Sequence, residues 1–410
     1  MVSKKKYILT IVLVFLVTAF LTLSLGNVLL VETGNRVVLS KDAYTEMKDM
    51  YEKYAKQESV MRIAKRDFLY EADEDKMLEG ALEGTLSALG DPYTQFMSKE
   101  EFAALMQDTE GSYEGIGVYI TASDDNKILI VSPIEDTPAE KAGLKTGDKI
   151  VKINGTEYTA DKMDQAVSIM KGMPGTNVTL TIERENADGT QDVSDIVVNR
   201  EKIRIKTIKP SMLNDGVGYI RITTFDMQTA DDFKAAYNDL KKQGMKSLVI
   251  DLRYNPGGII DATVDISNMF LGEGIITYTK TKAGEVEYFK SDANKEDIPI
   301  VLLINKGSAS ASEIMAGAMK DTGRATLIGT KTFGKGIVQR VQRFGNDGEG
   351  IKMTVSEYFT PNGINIHKIG IEPDVESVLP EDAKGYGYEF YDTDTQLQKA
   401  VEVLKGKMNQ

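Results

Sequence analysis

The second half of the chain alternates short, apolar runs with segments of helical periodicity, and this order restricts the fold more than any other feature. The apolar runs are VGYIRITTF, SLVIDLR, IPIVLLIN and ATLIGT, and helices are predicted between them at about 229–242, 259–271 and 310–321. Apolar strands that alternate with helices are typical of a parallel sheet covered on both faces. We therefore predict an α/β domain with a largely parallel sheet.

Two turns follow strands of this predicted sheet, LRYNPGG at 252–258 and NKGSASASE at 305–313. Ligands of open α/β sheets bind at the carboxyl ends of the strands, so these turns are the first candidates for a functional site. In the second turn, Ser310 and Glu313 have the spacing of a capping box, which satisfies free N–H groups at a helix start. The same helix start would stabilise the oxyanion formed when a serine attacks a carbonyl group. The residues alone leave both roles of Ser310 open.

An attacking Ser310 would need hydrogen-bond donors for the oxyanion. The N–H of Ala311 is one candidate, and the N–H of Gly257 is a second, because the Pro-Gly-Gly sequence lets the backbone approach closely. Ser308 and Ser312 are neighbours on the same turn, and structural roles are predicted for them.

The composition restricts the base that such a serine could use. The chain has one histidine and no cysteine, which excludes a thiol nucleophile, a thiolate metal site and a centre of several histidines. His367 lies in a polar turn and is predicted to be structural, while Asp321 is left open between a helix stop and a functional role. The conspicuous basic residue is Lys335 in TFGKGIVQR, although a lysine in a glycine turn is ordinarily solvated. No metal or cofactor is expected.

The overall composition limits the class of protein. With 41% hydrophobic and 27% charged residues, the 410-residue chain has a globular composition and is long enough for two or three domains. Its net charge of −13, without a clustered basic stripe after the first few residues, argues against a nucleic-acid partner. The absence of cysteine also suits an oxidising exterior.

The start of the sequence predicts a membrane anchor. Lys4, Lys5 and Lys6 precede an uncharged, mostly apolar run over 7–31, and about 20 such residues suffice to cross a bilayer. The lysines would keep residues 1–6 in the cytoplasm as a short tail and place the rest of the chain outside. A cleaved signal peptide ending before Asn27 is the alternative, and it too exports the protein.

Two regions follow the predicted anchor. Residues 40–102 form a helical N-terminal region with apolar stripes, for which packing or self-association is predicted. From 103 to 200 the pattern changes to short strands and glycine turns, and the stretch PAEKAGLKTGDKIVKING resembles a PDZ domain. That resemblance implies that a substrate C-terminus adds as a strand to a sheet edge, with its carboxylate held by a backbone loop. The residues that the resemblance assigns to peptide binding are Tyr113, Glu114, Gly115, Ile116, Gly117 and Val118.

The second half also resembles a known enzyme family. LRYNPGG, NKGSASASEIMAGAMKD, GTKTFGKGIVQ and GIEPDV, together with DPYTQF at 91–96, are similar to the C-terminal processing peptidases, or tail-specific proteases. The resemblance implies a serine protease domain over 201–380 with a ClpP/crotonase-like core, followed by a helical extension over 381–410. It implies a Ser-Lys dyad in which Ser310 is the nucleophile, Lys335 the base and Gln339 the residue that orients the lysine.

This assignment requires a lowered pKa for Lys335. A free lysine has a pKa of about 10.4, so a drop of roughly three units, equivalent to about 4 kcal/mol, is needed before it can act as a base at neutral pH. Burial in a formed, water-poor site is the expected cause. We therefore expect activity to require a closed arrangement, which a substrate tail on the PDZ domain would favour.

The predicted function is that of a membrane-anchored, extracytoplasmic serine endopeptidase whose substrates are proteins or peptides with free C-termini. One alternative is an inactive PDZ scaffold that holds partner C-termini. Another is a hydrolase of small esters or amides, which the absence of G-x-S-x-G weakens. A homodimer, joined through the N-terminal helices or through the C-terminal stretch with Leu397, Val401 and Leu404, is a further hypothesis.

Overall fold

The computed structural model describes residues 3–25, 31–33, 36–38, 40–186 and 189–408. The chain divides into two compact units, Met1–Thr85 and Leu86–Gln410. The first unit contains α1 (Lys4–Leu25), the paired strands β1 (Val31–Thr33) and β2 (Arg36–Val38), α2 (Lys41–Asp67) and most of α3 (Glu74–Ser87).

The long helix of the first unit begins at a cap that the sequence provides. Ser40 precedes α2, and its hydroxyl accepts a hydrogen bond from the N–H of Ala43 at 3.1 Å. The apolar stripe predicted along this helix is exposed rather than buried, since more than half of Tyr44, Met50 and Tyr51 is accessible to solvent. The helices predicted after residue 40 are thus present, but the stripe on α2 does not pack into a core.

The predicted membrane anchor is without structural support. Part of the predicted span, residues 26–30, lies outside the described residues. Among the residues that are described, no helix combines the length and the apolar character that a bilayer crossing requires.

The second unit begins with elements that lead into the predicted PDZ region. These are β3 (Gln95–Met97), α4 (Lys99–Glu110) and β4 (Ser112–Gly115), which pairs antiparallel with a later strand, β11 (Glu201–Arg204). Ser98 and Glu101 form a capping box at the start of α4. The β4–β11 pair brings the two ends of the intervening region together.

The intervening region is an antiparallel sheet with two helices. Its strands are ordered β10-β9-β7-β6-β5, with β8 beside β7, and its core is formed by inward-facing residues such as Ile130, Ile150 and Leu180. The first strand, β5, therefore lies at an edge of the sheet. The elements are β5 (Val118–Ala122), β6 (Ile128–Pro133), α5 (Pro138–Lys141), β7 (Lys149–Ile153), β8 (Thr156–Glu157), α6 (Met163–Met170), β9 (Asn177–Glu185) and β10 (Gln191–Asn199).

The predicted α/β domain contains a mostly parallel sheet. Its strand order is β12-β13-β14-β17-β18-β21, and only the β12–β13 pair is antiparallel. The central strands are buried along their whole length, as their continuous apolar sequences predict. The elements of this sheet and its helices are β12 (Ile208–Met212), β13 (Val217–Ile222), α7 (Thr229–Lys242), β14 (Ser247–Asp251), α8 (Ile260–Asn268), β17 (Ile300–Ile304), α9 (Ala311–Asp321), β18 (Thr326–Gly329), β21 (Val375–Glu376) and α10 (Thr395–Met408).

A second, antiparallel sheet of this domain is absent from the sequence prediction. It has the order β16-β15-β20-β19, and β3 joins it beside β20. Most positions of its strands are half-buried or exposed, and the strands lack long apolar runs, so their sequences carry little local signal. The strands are β15 (Gly274–Thr281), β16 (Val286–Ser291), β19 (Ile337–Phe344) and β20 (Glu349–Phe359).

The C-terminal helix corrects one part of the dimer hypothesis. In α10, Leu397, Val401 and Leu404 are buried against residues of the parallel sheet such as Val249 and Leu303. These apolar side chains already belong to the core of their own chain, so they are not available to join a second subunit.

A buried ion cluster fixes the end of the chain beside the first candidate turn. The guanidinium group of Arg253 is fully buried and donates to the carboxylates of Asp251 at 2.6 Å and Asp394 at 2.7 Å. Asp394 also accepts the N–H of Leu397 and so caps α10. Removing one member would leave buried charge unpaired, which makes such clusters sensitive to substitution.

Candidate active site

The two candidate turns lie side by side at the carboxyl ends of neighbouring strands, β14 and β17. The Ser308 hydroxyl donates to the carbonyl of Leu252 at 2.8 Å, and the Ser312 hydroxyl donates to the carbonyl of Asn255 at 3.0 Å. Both serines are fully buried. The outer two serines therefore fasten one turn to the other, in agreement with the structural roles predicted for them.

Ser310 lies between these two anchors in a strained conformation. Its backbone has φ 54° and ψ −115°, a region that L-residues rarely occupy and that is found disproportionately at functional sites. Its N–H donates to the Glu313 carboxylate at 3.0 Å, and its carbonyl accepts the hydroxyl of Tyr358 at 3.1 Å. The backbone of Ser310 is thus held from both sides, while its side chain lines an open cleft.

Gly257 faces Ser310 at close range. It has φ +102°, and a Cβ there would lie 2.7 Å from the carbonyl oxygen of Ala309 and 2.8 Å from the Cβ of Ser310. Only glycine fits this position without displacing the serine. The N–H of Gly257 donates to the Asn255 side chain at 2.9 Å, whereas the next glycine, Gly258, lines the cleft.

Ala311, the other predicted oxyanion donor, is the first residue of α9. Its N–H has no partner within its own helix, and none among the described residues accepts it. It is therefore available to an incoming oxygen.

Lys335 is half-buried rather than solvated. Burial lowers the pKa of its amine, Lys352 on β20 lowers it further, and the carboxylate of Asp91 opposes them. The Lys335 Nζ lies 4.6 Å from the centre of the Tyr93 ring. Both Lys335 and Ser310 line the same cleft, but within the described residues no hydrogen bond joins Nζ to the Ser310 hydroxyl.

Glu313 connects the two halves of the candidate site. Its fully buried carboxylate accepts the Ser310 N–H at 3.0 Å and the Lys335 N–H at 2.8 Å through one oxygen. Through the other oxygen it accepts the Thr332 hydroxyl at 2.6 Å and the Gly334 N–H at 2.7 Å. The sequence indicated only the local cap to Ser310, because the other three donors come from a distant segment of the chain.

The remaining candidates occupy different places. Gln339, on β19, lines the cleft, and its amide donates to the Thr354 hydroxyl at 3.3 Å. Asp321 accepts the N–H of Asn362 at 2.9 Å and therefore holds a turn. The backbone of His367 packs against the Lys335 segment, since a Cβ on Gly336 would lie 2.5 Å from the backbone nitrogen of His367.

The cleft that contains these side chains has a volume of about 560 Å³, which is within the usual range for ligand sites. Its walls come from α4, from both candidate turns and from the antiparallel sheet. Side chains on its walls include Leu105, Phe225, Ile259, Ile314, Ile337, Val338 and Tyr358, which are apolar or aromatic, and the charged Asp108, Asp261, Glu287 and Lys352.

A second pocket, of about 150 Å³, lies between the edge strand β5 and the helix α6. Five of the six residues predicted to bind peptide line it, and the exception is Glu114. The glycine at 117 is required, because a Cβ there would lie 2.4 Å from the Cβ of Thr137. The complete lining is Tyr113, Gly115, Ile116, Gly117, Val118, Ile120, Val167, Met170 and Lys171.

Comparison with known proteins identifies the family. The model of peptidase family S41 matches residues 216–377, a PDZ-domain model matches 129–184, and the model of the CtpB N-terminal domain, named for an activating protease, matches 24–101. The carboxy-terminal processing protease CtpA of Bacillus subtilis (strain 168) is 36% identical and covers 91% of this chain and 80% of its own length. The chain belongs to the carboxy-terminal processing protease family.

This protease is therefore a serine-type peptidase of the S41 fold with a PDZ domain. CtpB of Bacillus subtilis (strain 168) is also similar, with 38% identity over 79% of this chain and 68% of the relative. A solved structure of a candidate S41 protease from Bacteroides fragilis NCTC 9343 has 19% identity and a TM-score of 0.51, covers 85% of this chain and 96% of that chain, and supports the fold alone.

Proposed function

We propose that this protease cleaves peptide bonds with Ser310 as the nucleophile and Lys335 as the general base. The observation that carries the proposal is the Glu313 clamp: one buried carboxylate oxygen holds the backbone N–H groups of both residues, and both side chains line one cleft. Cleavage follows when Lys335 is neutral. Its Nζ takes the hydroxyl proton of Ser310 as the serine oxygen attacks the substrate carbonyl carbon.

The later steps use the same residues. The oxyanion accepts the N–H of Ala311, and the second donor comes from the glycine pair. Gly258 already lines the cleft, whereas the N–H of Gly257 would first have to break its hydrogen bond to the Asn255 side chain. The Lys335 ammonium then returns the proton to the departing amine, which leaves an acyl group on Ser310. A water molecule, deprotonated by the same lysine, hydrolyses that ester.

Gln339 is proposed to orient the lysine. Its side chain lines the cleft with Lys335 and is tied to Thr354 on the adjacent strand. Productive geometry requires the Lys335 Nζ to move from the Tyr93 ring to the Ser310 hydroxyl, and at that position the Gln339 amide oxygen would accept an N–H of the amine.

Substrates are proposed to be proteins or peptides whose free C-terminus binds the PDZ groove. The edge strand β5 can accept a further strand. The walls of the groove include the apolar side chains of Ile116, Val118, Val167 and Met170, and the cationic Lys171 also lines it. This lining favours an apolar last residue with a free carboxylate.

Amidation of the substrate tail tests this recognition. We expect an unstructured protein with an apolar free C-terminus to be cut with kcat/KM at least about tenfold higher than its C-terminally amidated form, because amidation removes the charge that the loop would bind. Product masses and initial rates of the full chain would measure this. Val167→Asp, which places a like charge in the groove, should reduce the preference, while Val193→Asp on the exposed face of β10 should not. Equal rates on both substrates would reject the tail-binding role.

The scaffold alternative is not favoured by these observations. The chain belongs to a family of proteases, and the serine, the lysine and the clamp between them are all present. Loss of cleavage with retained peptide binding in Ser310→Ala would distinguish the enzyme from a scaffold directly.

We also propose that the catalytic part lies outside the cytoplasm. The support is the three lysines at positions 4–6 followed by an apolar run. A reporter enzyme that is active only outside the cytoplasm, fused after residue 410, should be active. Activity of a cytoplasm-only reporter at the same position would reject the proposal.

A further inference from the structure

The aromatic ring of Tyr93 lies against the amine of Lys335. The Nζ is 4.6 Å from the ring centroid, within the range at which an aromatic face attracts a cation. This attraction acts on the protonated amine, because a neutral amine carries no net charge. In the same arrangement Nζ makes no hydrogen bond to the Ser310 hydroxyl within the part of the chain that the structure describes.

Tyr93 stands on a turn that is built rigidly next to the second sheet. The Asp91 carboxylate accepts the Thr94 hydroxyl at 2.6 Å and the Tyr93 N–H at 3.2 Å. The Thr94 hydroxyl oxygen in turn accepts the N–H of Thr354 on β20 at 3.0 Å. These bonds fasten the turn to the strand that carries Lys352. The backbone that carries the Tyr93 ring is therefore held by the fold and does not belong to a free loop.

We propose that Tyr93 is a positioning residue: its ring holds the protonated amine of Lys335 away from Ser310 and releases it when the amine loses its proton. This inference rests on the proposed role of Lys335 as the base. While Nζ carries a proton, the ring keeps it away from Ser310. Once Nζ is neutral, the attraction is lost, and the amine is free to accept the serine proton. Tyr93 thereby couples the charge of the base to its place in the cleft.

The charged groups around Lys335 act on its pKa in opposite directions, so the Tyr93 ring can also affect that pKa. Lys352 disfavours the protonated amine and Asp91 favours it. Burial raises the pKa of Asp91, but hydrogen bonds from Thr354, Thr94 and the Tyr93 N–H outweigh it and hold that pKa below the usual value, with a smaller electrostatic contribution from the neighbouring His367. Of the other carboxylates, that of Glu313 accepts the Lys335 N–H, and those of Asp108, Asp261 and Glu287 line the same cleft as the lysine.

The decisive experiment changes the charge of the ring face and not its shape. Tyr93→Phe keeps the negative electrostatic potential of the ring face. Phenylalanines with one, two or three ring fluorines at position 93 reduce that potential stepwise with little change in volume. Two quantities are measured in the full chain: the pKa of Lys335 from its ¹³Cε signal, assigned by its loss in Lys335→Arg, and the pKa of the acidic limb of kcat/KM. The aliphatic Tyr93→Leu extends the series.

The sign of the expected effect follows from the contact. A ring face with a less negative potential attracts the protonated amine less. Both pKa values should therefore fall together, by about half to one pH unit across the series. At pH values below the limb, kcat/KM should then rise about three- to tenfold. Tyr93→Phe should leave both values near those of the parent.

The possible failures are distinguishable. If fluorination leaves the Lys335 pKa unchanged, the ring does not hold the cation, and the inference is wrong whatever the base is. If the Lys335 pKa falls but the kinetic limb stays in place, Lys335 does not set the rate, and the proposed base fails together with the positioning role. If only the pH-independent value of kcat/KM falls, Tyr93 supports the productive geometry and does not hold the protonated lysine away from Ser310.

Discussion

Ser310→Ala and Lys335→Ala are each expected to reduce kcat by at least about 10³-fold. The first removes the atom that attacks the substrate, and the second removes the group that accepts its proton. Because the two residues act as a unit, the double variant should be no slower than either single variant. Peptide products identified by mass spectrometry, with rates from the full chain, would measure this.

The controls for this pair must separate chemistry from folding. Lys331→Ala removes a nearby lysine whose ammonium forms an exposed ion pair with Glu372 at 2.8 Å, and it should retain close to full activity. All variants should keep the thermal unfolding temperature of the parent within a few degrees. A Lys335→Ala variant that cuts as fast as the parent would show that the base has been misassigned.

The pH dependence of the parent has a fixed sign. The base must be unprotonated, so kcat/KM should fall as the pH falls through the pKa of Lys335. Burial and Lys352 lower that pKa, so the limb should lie below the usual lysine value. A limb at the pKa of an ordinary solvated lysine would contradict the proposed role.

The parallel sheet was predictable because its strands carry their signal locally. The sequence SLVID, for example, is buried at every position of β14, and only a strand covered on both faces requires such a run. The second sheet was not predicted, since a strand such as β16, with the sequence VEYFKS, is mostly exposed. A half-exposed strand of this kind resembles many surface segments in sequence.

The candidate site was predictable in its turns but not in its connections. Ser308, Ser310 and Ser312 sit in one short motif, so their roles could be separated by position. The contact between Tyr93 and Lys335, in contrast, joins segments far apart in sequence, and nothing local to either residue indicates it. Glu313 shows the same limit, because a capping box predicts a partner three residues away and does not predict contacts with a distant segment such as 332–335.

Glu313→Gln is expected to lower kcat by about 10- to 100-fold while leaving KM for a tail-bearing substrate nearly unchanged. An amide has one acceptor oxygen where the carboxylate has two, and its NH₂ group would face two N–H or O–H donors. In one orientation the N–H groups of Ser310 and Lys335 lose their acceptor; in the other, Thr332 and Gly334 do. In the first orientation the serine and the lysine are no longer fixed by one group, and in the second the segment that carries Lys335 loses its hold at Thr332 and Gly334. Misplacement of catalytic groups is costly in both cases.

The same substitution should destabilise the protein, because two buried donors without acceptors cost about 1–3 kcal/mol each. Urea unfolding would measure this loss, and Glu372→Gln on the surface is the matched control, with an expected change within about 0.5 kcal/mol. The kinetic and thermodynamic effects can be separated by assaying kcat well below the unfolding midpoint, where both variants are folded. If Glu313→Gln is destabilised but retains kcat within about twofold, the clamp serves the fold alone, and the alignment of Ser310 with Lys335 must come from Tyr358 and the surrounding turns.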